Sequence, residues 1–397
     1  MVDKVGLIYS EEYQKYDFGK SHPLRPIRLK LTYSLMEKLH LLDHERLTLM
    51  KPRLATREEI ERVHSSHYID AVKKLSDNPD DKTVNPYHYG LGPGDNPVFK
   101  GMYDAAALVC GASIVAADTV WKDDDFKIVF NPAGGLHHAM KDKASGFCIF
   151  NDIGVAIKHL KSIKEDIRIA YLDIDCHHGD GVQWLFYNDP NVLTISYHQD
   201  GRFLFPGTGS ISEIGEGDGK GYSINFPLLP GTYNKSFLNL FRKTTPKLLE
   251  VYAPDILITQ LGVDTYFGDP QTDMGFSLAV YRDIAQTIKT AAKEYCQNKW
   301  MAVGGGGYLI TAVPRAWTIF LAKMLDVELK NELPDTWIQE VKTSAPFEDT
   351  PYLLWDRGEI VEVQLLSHPE IAKRIIDYNK NLIKISDEKY LPYLSKN

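Results

Sequence analysis

The chain has 397 residues, of which 44% are hydrophobic and 25% charged, and a formal net charge of −8. That composition belongs to a globular protein able to bury a large core, and it argues against the broad positive footprint that direct nucleic-acid binding or an anionic membrane surface would select. Cys110, Cys148, Cys176 and Cys296 stand apart, without CxxC spacing, and read as buried thiols of a cytoplasmic protein.

In chain order, a short strand is expected at 5–9, and beyond Pro26 the spacing of Leu29, Tyr33, Met36 and Leu39 turns helical. Thr56 and Glu59 form a capping-box pattern ahead of a helix expected to reach about Leu75. The stretch 76–100, rich in Asp, Asn, Pro and Gly, reads as a long loop. The apolar run near 105–121 is interrupted by Gly111, Ser113 and Asp118, so a buried helix over 101–121 fits better than a membrane span.

A rhythm follows: strand 127–131, helix 152–164, strand 167–175, helix 180–188, strand 192–197, helix 234–252, strand 256–261, helix 278–297 and strand 300–303. Such alternation predicts an α/β fold, a central and mostly parallel sheet with helices on both faces. Ligands in these sheets gather beyond the strands' C-terminal ends. The rhythm ends after residue 326, so 1–326 is expected to carry the site and 327–397 to form a C-terminal extension of helices and short strands on the same domain.

The segments after the strands hold nearly every unusual polar group. Tyr171-Leu-Asp-Ile-Asp-Cys-His-His-Gly-Asp180 packs Asp173, Asp175, His177 and Asp180 behind an apolar run. If extended geometry persisted, Asp173, Asp175 and His177 would share a face. Asp175, His177 and Asp264 could neutralise a divalent ion and leave an open position, or they could lie in loops that never meet. His137-His138 follow a Gly-Gly pair and suit a proton shuttle, with Asp173 and Asp180 orienting the rings; an incidental pair is the other reading. Gly304 to Gly307 precede Tyr308-Leu309 rather than the Lys-Ser or Lys-Thr of a phosphate loop. They suit either a phenol swung toward an oxyanion or a tight turn. Phe147 and Phe205 either wall a slot or fill core. No G-x-S-x-G elbow occurs.

In order, His22-Pro-Leu-Arg-Pro, Gly92-Pro-Gly-Asp95-Asn-Pro, Pro132-Ala-Gly-Gly-Leu-His137-His138, Gly146-Phe147-Cys148, Asp173 to Asp180, Phe205-Pro-Gly-Thr-Gly, Gly262-Val-Asp264 with Gly268-Asp-Pro, and Gly-Gly-Gly-Gly-Tyr308 resemble the zinc-dependent histone deacetylase superfamily. The similarity covers roughly residues 5–325 and looks most like the prokaryotic acetoin-utilisation deacetylases. It implies a single-domain arginase-like fold and hydrolysis of N-acetyl amides, typically acetyl-lysine in proteins. Small acetylated amines such as acetylpolyamines are the alternative substrates, and a non-catalytic acetyl-lysine binder is the alternative of another class. A two-metal ureohydrolase would need further Asp-x-Asp pairs, and Asp264 is followed by Thr265-Tyr266.

Carried over residue by residue, the resemblance gives zinc to Asp175, His177 and Asp264, with iron(II) also tolerated by such ligands. It makes His138, paired with Asp180, the general base and acid, and His137, paired with Asp173, an electrostatic partner. Tyr308 stabilises the oxyanion. Gly146, Phe147 and Phe205 line the acyl-lysine tunnel and Asp95 holds substrate at its rim. One potassium site is implied around Asp173, Asp175, His177, Ser196 and Tyr197, and a second around Phe186, Asp189, Val192 and Tyr222. Two departures stand out: Val263 replaces a usual alanine, and Gln271 replaces an apolar tunnel residue.

Overall fold

The computed structural model describes residues 3–395. One sheet contains β1 (Lys4–Ile8), β2 (Leu47–Met50), β3 (Phe126–Asn131), β4 (Ile169–Asp173), β5 (Val192–Gln199), β6 (Ser223–Leu228), β7 (Ile256–Gln260) and β8 (Trp300–Val303). All pairings are parallel, in the order β2-β1-β3-β8-β7-β4-β5-β6. Parallel strands need crossover helices, which bury both sheet faces, and this is why β4, β5 and β7 are buried at every position. The α/β architecture expected from the alternation is the one observed.

Register places the site. Asn131, Val303, Gln260, Asp173, Ser196 and Asn225 pair across β3, β8, β7, β4, β5 and β6 as one continuous rung. The loops bearing His137, Tyr308, Asp264 and Asp175 all leave the sheet just past it.

Several expectations need correction. The helix expected from Thr56 to about Leu75 is two, Arg57–Glu61 and Ser66–Asp77. Between them His64 is buried, its Nδ1 2.9 Å from the Met140 carbonyl while Nε2 accepts from the Asn151 amide at 2.9 Å, so tertiary ties break the helix there. The strand expected at 167–175 ends at Asp173. The extension contains no strand among the described residues; it forms helices Asp335–Ser344, Glu359–Ser367, Pro369–Ile385 and Leu391–Leu394, with a π turn at Ser386–Tyr390. Trp337 donates from Nε1 to the Leu31 carbonyl at 3.0 Å, and Leu354, Leu382 and Tyr390 join the same buried core as the sheet. The apolar helix Met102–Lys122 has the length and composition to cross a membrane, but 67% of its most apolar window is buried inside the protein.

The capping box is present: Glu59 N donates to Thr56 Oγ1 at 3.3 Å and Thr56 N donates to Glu59 Oε2 at 2.8 Å. Thr56→Ala is therefore expected to lower stability by about 0.5–2 kcal/mol in a denaturant titration, without changing turnover.

Candidate active site

Three buried side chains form the metal-binding candidate. One oxygen each from Asp175 and Asp264 and one ring nitrogen of His177 lie within 4.8 Å of one another, the only such group among the described residues. His177 Nδ1 is 3.2 Å from Asp175 Oδ1 and 2.9 Å from Asp264 Oδ2. The opposite oxygens are committed elsewhere. Asp175 Oδ2 accepts from Gln260 Nε2 at 2.6 Å and from the Gly306 amide at 2.7 Å, and Asp264 Oδ1 accepts from the Cys176 amide at 2.7 Å. A Cβ on Gly306 would overlap the Asp264 carboxylate, so only glycine lets that amide approach.

Two carboxylates turned toward one imidazole nitrogen demand a cation or a proton at their centre. Burial opposes charge on the His177 ring, yet the hydrogen bonds it donates to Asp175 and Asp264 hold its pKa up at about 10. Burial, and then the neighbouring Asp175, raise Asp264 to about 7. This donor set fits a first-row divalent ion.

Beside the cluster, His137 Nδ1 lies 2.8 Å from Asp173 Oδ2 and His138 Nδ1 lies 2.7 Å from Asp180 Oδ1. A carboxylate only accepts, so each Nδ1 carries the hydrogen and each Nε2 points away from its acid. The two Nε2 atoms are 3.0 Å apart. Burial works against a charged His137, but Asp173 and then Asp175 raise its pKa to about 9; burial and the adjacent His137 push His138 down to about 4. Of the two rings, His138 is therefore the neutral one, with a bare Nε2. Asp173 also accepts from Tyr171 Oη at 2.6 Å and from the Asp175 amide at 3.0 Å. The single face expected for Asp173, Asp175 and His177 is thus corrected: with β4 ended, Asp173 turns to His137 while the other two turn to each other.

Tyr308 closes the other side, its ring centroid 6.2 Å from His177 and 5.6 Å from Phe147. Burial, reinforced by Asp264 and Asp175, raises its phenol well above the usual range, so it stays a donor. Phe205 packs edge-on to His138 at 5.1 Å. Gly146 has φ +51, and a side chain there would run into the His138 ring. Phe147 and Phe205 thus both flank the catalytic candidates.

Asp95 is exposed, and its carbonyl lies 3.1 Å from His22 Nε2. Gln271 is exposed, with its amide donating to Asp269 Oδ1 at 2.9 Å. Ser196 Oγ lies 2.8 Å from His198 Nδ1. Tyr197 turns its phenol to Thr244 and Thr245, at 2.5 and 2.8 Å, on the other face of the strand, which leaves only its main chain for a cation near Ser196. Asp189 pairs with Lys161 at 2.9 Å, and the Phe186, Asp189 and Tyr222 carbonyls accept from the amides of Asp189, Val192 and Thr194.

Two contributors escaped the sequence reading. Gln260 looks like the tail of an apolar strand, yet it fixes Asp175. Arg28 looks like a surface residue of the helix Ile27–Lys38, but it is buried and donates from one nitrogen to the carbonyls of Gly305 and Gly307 at 2.8 and 3.0 Å, stacked 5.2 Å from Trp317. A polar residue closing the run Ile256 to Thr259 was a signal for Gln260; Arg28 offered none.

Residues 22–324 match the histone deacetylase domain family. The chain is 42% identical over 340 residues to the acetoin utilization protein AcuC of Bacillus subtilis (strain 168), covering 85% of this chain and 87% of that protein. It is 36% identical over 345 residues to the acetoin utilization protein AcuC of Staphylococcus aureus (strain MRSA252), covering 86% and 87%. The crystal structure of an HDAC homolog from Aquifex aeolicus superposes with a TM-score of 0.80 at 30% identity, over 92% of this chain and 99% of that one. One of an HDAC homolog complexed with SAHA gives 0.81 at 30% identity and the same coverage. With its fold, its buried Asp-His-Asp cluster and these relatives, the chain belongs to the histone deacetylase family and is a hydrolase acting on acetylated amides.

Proposed function

We propose that the chain deacetylates acetyl-lysine side chains of proteins, with residues 1–326 as catalytic unit and 327–397 as an extension packed on it. The observation that carries this reading is the convergence of a buried ligand cluster, two acid-paired histidines and one phenol on a single aromatic-walled site. Asp175, His177 and Asp264 would hold zinc, with iron(II) an acceptable substitute. Bound there, the ion supplies Lewis-acid polarisation of a carbonyl and activation of water.

The chain's own residues divide the remaining work. Phe147 and Phe205 hold the alkyl stem of the substrate lysine, Gly146 leaves room beside His138, and Asp95 and Gln271 meet the substrate at the mouth. His138 Nε2 accepts a proton from the attacking water and returns it to the departing amine, while Asp180 keeps the ring in that tautomer. His137, held by Asp173, contributes positive charge, and Tyr308 donates its phenol hydrogen to the carbonyl oxygen as that oxygen gains charge. The main chain near Asp173, Asp175, His177, Ser196 and Tyr197, and that of Phe186, Asp189, Val192 and Tyr222, would take potassium, since carbonyl oxygens retain a second lone pair.

One observation supports a second substrate class: the exposed Asp95 carboxylate would also attract small cationic amines such as acetylpolyamines. The test compares turnover of acetyl-lysine peptides, an acetylated protein and acetylpolyamines. Preference for the peptide or protein is expected, and a polyamine preference of orders of magnitude overturns the assignment. Loss of turnover with a chelator, restored by zinc, is expected for either substrate; a protein that binds acetyl-lysine without turnover would show neither.

A further inference from the structure

Asp269 is 6% exposed and forms no ion pair among the described residues, although a buried carboxylate is costly unless its charge is met. What meets it is backbone. Its Oδ2 accepts from the amides of Tyr308 at 2.7 Å and Leu309 at 3.3 Å, and its Oδ1 accepts from the amide of Gln271 at 2.9 Å. Tyr308 needs such a tether. It follows four glycines, of which Gly305 and Gly307 have φ of +146 and +127, and its amide precedes the next helix, Ala312–Met324. Arg28 grips the carbonyls of Gly305 and Gly307 from one side, and Asp269 grips the amides of Tyr308 and Leu309 from the other.

We infer that Asp269 is a positioning residue that sets the Tyr308 phenol at its reacting distance and ties it to Gln271 at the mouth. The inference rests on the role proposed above for Tyr308. It distinguishes the carboxylate from a generic buried acceptor, because two oxygens are required. Asparagine offers one, so D269N can serve Tyr308 or Gln271 but must turn an N–H toward the other amide.

The test is a cycle of Y308F, D269N and the double variant, assayed for kcat and KM on an acetyl-lysine peptide, with zinc content and melting temperature measured on each. D269N is expected to lower kcat about 10- to 100-fold, the scale of a small misplacement of a reacting group, with KM and zinc content near wild type. In the Y308F background, D269N is expected to cost little more, because the group it positions is gone. An equal kcat loss in both backgrounds, or loss of zinc from D269N, overturns the inference while leaving Tyr308 in its role. A folded, zinc-loaded Y308F with nearly full turnover overturns the Tyr308 assignment and this inference together. If D269N is insoluble, D269S, smaller and with one acceptor oxygen, runs the same cycle and is read the same way.

Discussion

His138→Ala is expected to lower kcat by about 10²–10⁴-fold, the usual contribution of a positioned acid–base group, while zinc content and melting temperature stay near those of the parent. His138 rather than its neighbour should carry this effect because the two rings differ electrically. His137 is held at about 9 by Asp173 and Asp175 against its burial, whereas burial and the charge on His137 keep His138 at about 4. At neutral pH one ring is a cation and the other a neutral base, whose unprotonated Nε2 lies 3.0 Å from the protonated Nε2 of His137. The sign follows: the active form of His138 is present above its pKa and is lost as pH falls through it, and a bound divalent ion nearby would push that acid limb lower still. His137→Ala should leave a larger residual rate than His138→Ala. Equal turnover of His138→Ala and the parent would remove His138 from the chemistry.

Asp264→Ala is expected to abolish turnover and zinc binding together, so that metal analysis of the purified variant reads close to none and added zinc restores nothing. The reason is the crowding at the centre. With one of the two facing carboxylates gone, His177 Nδ1 keeps Asp175 alone, 3.2 Å away, while Asp175 Oδ2 remains tied to Gln260 and Gly306. The parent should show a proton signature. With no metal, the His177 ring holds a proton up to about pH 10, so zinc entering at neutral pH must displace it. Zinc affinity should therefore rise with pH, by about tenfold per unit for each proton released. Calorimetry in two buffers of different ionisation enthalpy measures that release, and a buffer-independent heat contradicts it.

Sequence patterning revealed the interior strands of the sheet and hid the two at its edges. β2 is a short edge strand with Thr48 and Leu49 exposed, and β6 carries Pro227 on the opposite edge, where a missing donor is tolerated but the strand signal is weak. The helix Ala312–Met324 escaped because 12 of its 13 residues are buried, which leaves no polar stripe to set a period. At the site, charged residues in unusual company were legible: His137, His138, Asp173, Asp175, His177, Asp180 and Asp264 all converge. Gln260, Arg28 and the tether formed by Asp269 act through backbone groups or through other side chains, and such roles depend on distances that spacing in a chain does not encode. Asp173 shows the same limit, since its direction was decided by where β4 stops.

The rung joining Asn131, Val303, Gln260, Asp173, Ser196 and Asn225 makes the site sensitive to length as much as to chemistry. Deleting one residue within β7 would draw Asp264 back by about 3.3 Å, the rise of one strand residue, and turn alternate side chains to the opposite face. Asp175 would then lose Gln260 although no ligand had been mutated. Insertions at the opposite, N-terminal edge of the sheet carry no such penalty. Among homologues of this chain, length variation should accordingly gather on that edge and in the extension, and avoid the strands whose common register serves as the ruler for the Asp175, His177 and Asp264 cluster.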